Sequence, residues 1–158
     1  MKRYVLVGAS HRALHMFLAP LSQGYRGAAE IVAIADPDPA RIDLINRAAK
    51  TELPGYPAEA FGRMLDECRP DGVIVASPDA THHTYVIAAL ARDLDVICEK
   101  PLTTDDAKCR AILAAAAASK GKVTVTFNYR YAPVATTIRE RILAGDVGRV
   151  VNVNLDWS

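Results

Sequence analysis

Two hydrophobic periods alternate along this chain, and that alternation restricts its fold more than any single motif does. Short β-branched runs, Arg3 to Val7, Glu30 to Ala35, Gly72 to Ala76, Asp95 to Cys98 and Lys122 to Phe127, are bounded by Gly, Pro or Asp. Continuous apolar runs of this length suit strands buried on both faces. Between them the period changes, and helices are predicted over His11 to Ser22, Pro39 to Lys50, Ala58 to Cys68, Ala80 to Arg92, Thr104 to Ser119 and Pro133 to Ala144. Pro39, and Thr103 or Thr104 ahead of Asp105 and Asp106, are helix-start signals. Strands alternating with helices along the chain predict an α/β fold, a doubly wound parallel sheet with right-handed crossovers.

A length of 158 residues allows one ordinary domain. With 51% hydrophobic and 23% charged residues, the chain has material for a core and too little charge for a disordered tail. Nineteen Lys and Arg against eighteen Asp and Glu leave a net charge of +1, without the basic field that nucleic acid or an anionic membrane requires. The expected partner is a small neutral or weakly charged molecule. Cys68, Cys98 and Cys109 are odd in number and lack C-x-x-C spacing, which fits neither a disulfide framework nor a zinc site. The apolar run after Met1-Lys2-Arg3 stops after four residues, too soon for a signal peptide, and no run reaches membrane-spanning length. A cytoplasmic protein is expected. From Val150 to Trp157 apolar residues alternate with Asn and Asp, which predicts a strand presenting Val151, Val153, Leu155 and Trp157 on one face.

The chemistry-bearing residues fall where predicted strands end. After the first comes Gly8-Ala9-Ser10-His11-Arg12-Ala13, in the place of a G-x-G-x-x-G/A dinucleotide fingerprint but with Ser10 at the second glycine. Asp36 ends the second strand, where a carboxylate accepts from a ribose 2′-hydroxyl and repels a 2′-phosphate, favouring NAD over NADP; Arg41 blurs that preference. Asp36-Pro37-Asp38-Pro39 reads equally as a turn and helix cap. Ser77 and Pro78 follow the next strand, and His82-His83 lack a third ligand at helical spacing, so no metal is expected. Glu99-Lys100-Pro101 places an ammonium at a sheet edge, with Glu99 the expected partner of Lys100 and a substrate hydroxyl as the user of its proton; a solvated charge pair is the alternative. Asn128 and Arg130 suit hydroxyl or carboxylate recognition, with the aromatic residues around them read as core. In an open α/β sheet such positions converge on one crevice at the carboxyl ends of the strands.

In order and residue type these motifs resemble the NAD(P)-dependent oxidoreductases of the Gfo/Idh/MocA family, the glucose-fructose oxidoreductase and inositol dehydrogenase group. The Gly8 loop, Ala35-Asp36-Pro37-Asp38-Pro39-Ala40-Arg41, Val75-Ala76-Ser77-Pro78 with His82, Cys98-Glu99-Lys100-Pro101-Leu102 and Asn128-Tyr129-Arg130-Tyr131-Ala132-Pro133 carry the likeness. The resemblance implies a Rossmann domain over 1–148 and, over 149–158, the start of a truncated C-terminal α+β substrate domain, through whose sheet family members associate. It implies that Gly8, Ser10, His11 and Arg12 face a pyrophosphate, Asp36 and Arg41 the adenosine, and Ser77, Pro78 and His82 the middle of the cofactor. Glu99, Lys100 and Pro101 would meet the nicotinamide ribose, Asn128 and Arg130 the crevice wall. Lys100 is the implied catalytic residue. The implied activity is hydride transfer between NAD, or NADP, and a sugar, polyol or related hydroxy compound. An NAD-dependent glycosidase and a non-catalytic dinucleotide-binding module are the alternatives.

Overall fold

The structure, a computed structural model, describes residues 1–25 and 27–154. Strands β1 (Lys2–Val7), β2 (Ala29–Ala35), β3 (Gly55–Tyr56), β4 (Gly72–Val75), β5 (Asp95–Glu99) and β6 (Val123–Thr126) form one sheet in the order β3-β2-β1-β4-β5-β6. Every neighbouring pair is parallel. The order reverses between β1 and β4, so the loops after these two strands diverge to opposite sides and leave a crevice at their carboxyl ends.

Helices cover both faces, as unbroken apolar strands require. In β1, Val5 and Val7 face one layer while Tyr4 and Leu6 face the other. The first layer is closed by α3 (Phe61–Cys68), α4 (His82–Leu90) and α5 (Asp106–Ala118), which contribute Phe61, Met64, Leu65, Val86, Leu90 and Ile112. The second is closed by α1 (His11–Ala13) and α2 (Pro39–Ala49), with Ala13, Ile42 and Ile45. After α1 the helix continues in wide π turns, Leu14–Leu18 and Pro20–Gly24, where Pro20 has no N–H for a regular turn. The β1–β2 register slips at Val32, which is why Ile31 and Ile34, three residues apart, share a face.

The strands and helices predicted between Arg3 and Ala144 are therefore present, with ends shifted by at most three residues. Among the described strands only the two-residue β3 was not foreseen. Two compact units divide the chain, residues 1–126 and residues 127–158. The described part of the second contains a tight turn, Asn128–Tyr131, and α6 (Pro133–Leu143). Phe127, Tyr129 and Tyr131, expected in the core, are exposed: the sheet ends at Thr126, and no described strand carries them onward. The strand expected from Val150 is absent over residues 150–154. Alternation alone does not make a strand, whose N–H and C=O groups need a neighbouring ladder, and Val151 and Val153 stand 82% and 77% exposed. The remainder of that expectation, Leu155 to Trp157, lies outside the described residues. Among the described residues no helix is long and apolar enough to cross a membrane.

Candidate functional site

At the carboxyl ends of β1, β2, β4 and β5 lies a cavity of about 340 Å³. Gly8, Ala9, Ser10 and Arg12 form one wall, Asp36 and Arg41 the end beyond β2, Ala76 to Asp79 the facing wall, and Glu99 and Lys100 the far end. Gly8 sits at φ +94°, and a Cβ there would come within 2.5 Å of the Ala76 oxygen and 2.6 Å of the Ser77 nitrogen. Only glycine lets the β1 turn approach the loop after β4 so closely. Ser10, in place of the second fingerprint glycine, caps the helix that follows: its hydroxyl accepts from the Ala13 N–H at 3.1 Å.

Asp36 is buried in this wall. One carboxylate oxygen accepts from the Ala9 N–H at 2.7 Å and the other from the Asp38 N–H at 3.0 Å. It therefore fixes the Gly8 loop to the end of β2. The helix cap belongs to Asp38, which accepts from Ala40 N–H. Both sequence readings of Asp36-Pro37-Asp38-Pro39 hold: Asp36 lines the crevice, and the segment is also a turn and helix cap; a carboxylate still has lone pairs for a ligand hydroxyl after two such bonds.

Glu99 does not pair with Lys100. Successive residues on a strand point to opposite sides, and Glu99 turns inward, where its Oε2 receives Arg12 Nη2 at 3.0 Å. Among the described residues Lys100 has no ion pair, and it stands exposed at the cavity edge. Arg12, expected to face a pyrophosphate, thus spans from the first wall to the end of β5. Cys98 beside Glu99 is no nucleophile: burial chiefly, and the Glu99 charge next, push its thiol up to about 12.

His82 sits behind the cavity, fully buried. Its Nδ1 lies 2.8 Å from the Pro101 carbonyl oxygen and its Nε2 2.9 Å from that of Ser77, so the ring links the loop after β4 to the turn that carries Lys100. Nothing in the sequence pattern distinguishes this clamp from a lining residue. His11 is exposed and lies against His15, with ring centroids 4.1 Å apart and the rings tilted by 50°. Pro101 follows a cis peptide bond. Asn128 and Arg130 belong to the second unit, and the cavity of the first is formed without them. No cluster of three His, Cys, Asp or Glu side chains suited to a metal occurs among the described residues.

A parallel sheet of this strand order, with a glycine-turn crevice at its switch point, defines a dinucleotide-binding Rossmann domain. Residues 2–127 match the family model described as "Oxidoreductase family, NAD-binding Rossmann fold". The chain belongs to the Gfo/Idh/MocA family, and it is 41% identical to YteT of Bacillus subtilis over 99% of its own length and 37% of that protein's. It is 34% identical to inositol 2-dehydrogenase 4 of Saccharopolyspora erythraea over 77% of this chain and 35% of that one. Among solved structures, the Bordetella pertussis WlbA dehydrogenase in complex with NADH and UDP-GlcNAcA superposes with a TM-score of 0.78 at 23% identity, covering 93% of this chain and 43% of that one. The scyllo-inositol dehydrogenase of Lactobacillus casei with NAD(H) and scyllo-inositol gives 0.78 at 20% identity, covering 94% and 42%. At those identities the likeness is one of fold. The chain spans well under half the length of the relatives it matches.

Proposed function

We propose that this chain is the cofactor domain of an enzyme that moves hydride between NAD, with NADP as the second choice, and a sugar, polyol or related hydroxy compound. The observation that carries the reading is the convergence, in one cavity, of the Gly8 turn, buried Asp36 and the exposed, unpaired Lys100. Two features fit a dinucleotide: the Gly8 turn, where only glycine lets the loops after β1 and β4 close together at the cavity wall, and Glu99 Oε1, a buried oxygen without a partner.

Gly8, Ala9 and Ser10 would hold the diphosphate, Asp36 and Arg41 the adenosine ribose, Ser77 and Pro78 the middle, and Glu99 the nicotinamide ribose. The nicotinamide, when bound, supplies a hydride acceptor or donor. Lys100 would donate a hydrogen bond to the substrate oxygen, stabilising charge as it develops there, and hold the proton exchanged with it. Arg41, at the same end of the cavity as Asp36, would supply a cation for a 2′-phosphate, whereas Asp36 would repel one. The Ser77–His82–Pro101 link keeps the two loops at fixed separation. The substrate domain expected from residue 149, and association through its sheet, belong to the same proposal; the partial coverage of longer relatives supports them.

The test is a fluorescence titration with NADH. Saturable binding is expected, weakened about tenfold or more by Asp36→Ala, as losing a charge-assisted hydrogen bond would do. No saturation, or identical binding by the variant, contradicts the reading.

A further inference from the structure

The Arg12–Glu99 ion pair joins residues 87 apart in sequence and spans the same crevice. Resting on the dinucleotide reading above, we propose that Arg12 is a positioning residue that acts through Glu99: its guanidinium fixes the orientation of the buried carboxylate, leaving Oε1 to accept a ligand hydroxyl near Lys100.

Three observations support this. The Glu99 side chain is 6% exposed, against 40% for Arg12, so the carboxylate is largely out of water while the guanidinium is still partly hydrated. A carboxylate withdrawn from water is tolerated only with an opposite charge and hydrogen bonds to its remaining lone pairs. Arg12 serves Oε2, whereas Oε1 is buried with no donor. Finally, Thr126 pairs with Glu99 in the β5–β6 register, and its Oγ1 is likewise buried without a partner. The end of β5 thus carries an unfilled acceptor, and its register partner on β6 an unfilled hydroxyl, a combination that suits an incoming hydroxyl. A ribose diol is the ligand class that supplies one at this end of a dinucleotide. In the competing account Arg12 merely offsets the negative charge of the diphosphate.

A double-mutant cycle on this 158-residue chain separates the two. NADH affinity is measured for wild type, Arg12→Ala, Glu99→Gln and the double variant, with ADP as a ligand that keeps the diphosphate and lacks the second ribose. We expect Arg12→Ala to weaken NADH binding about tenfold in the wild-type background and about twofold or less beside Glu99→Gln, with ADP losing the same small factor in both. Arg12→Gln, which retains side-chain length and spares the fold, is expected to give the same pattern. An equal loss in both backgrounds overturns the proposal and leaves the dinucleotide reading intact. Wild-type chain that binds no NADH overturns both.

Discussion

His82 shows how much of this site is held from behind. Its ring meets two carbonyl oxygens, from Ser77 and Pro101, at 2.9 and 2.8 Å; a neutral imidazole donates to one of them and an imidazolium to both. Replacing it with Ala leaves both carbonyls without that partner and opens a cavity, so His82→Ala should cost on the order of 2 kcal/mol and lower Tm by about 4–8 °C. A thermal scan with Tm unchanged would mean the ring is not a clamp. Residue types at the site were legible from sequence, because glycine, carboxylate and lysine each recur where a predicted strand ends. Their partners were not. Arg12 and Glu99 meet across 87 residues, and Asp36 and Ala9 across 27, so local spacing suggested Lys100 for Glu99, and the contact of Arg12 with Glu99 was outside what either spacing or the family resemblance implied.

Among the elements, the two edges of the sheet use their acidic residues differently. At the amino edge they fasten turns: Asp71 Oδ2 accepts from Arg3 N–H, Asp93 Oδ1 from Lys120 N–H, and Asp95 from both Lys122 N–H and the Lys2 ammonium. The Lys2 hydrogen bond first, and the Lys122 N–H next, hold the Asp95 carboxyl below its ordinary range, while the Lys120 N–H does the same for Asp93. A depressed folded-state value means the carboxylate contributes stability above the unfolded value of about 3.9 and loses it as pH falls through the folded one. Asp95→Asn should therefore show a lower urea midpoint than wild type at pH 7, with the difference shrinking as pH falls below about 4. A difference that persists undiminished at pH 3 would contradict this. Element type was readable because buried parallel strands and their crossover helices carry distinct periods. β3 escaped because two residues hold no period, and residues 150–154 misled because alternation specifies a face without supplying a ladder.

Over the sheet as a whole, the carboxyl ends of the strands hold the cavity. There the strand order reverses, the Gly8 turn closes against Ala76 and Ser77, and the acidic groups Asp36 and Glu99 are buried in the cavity wall, while the amino edge is closed by hydrogen bonds. A separate cavity of about 760 Å³ beside α2, lined by Asn46, Lys50 and Leu53, offers an alternative place for a small molecule. It is larger, yet it lacks the glycine turn and the buried carboxylates. The most direct test of the central claim is an amide NMR titration of the 158-residue chain with NADH. The account predicts saturable shifts at Gly8, Ala9, Asp36, Ser77, Glu99 and Lys100, at the carboxyl ends of four strands. Shifts confined to Asn46 through Leu53, or no saturable shifts at all, would contradict it.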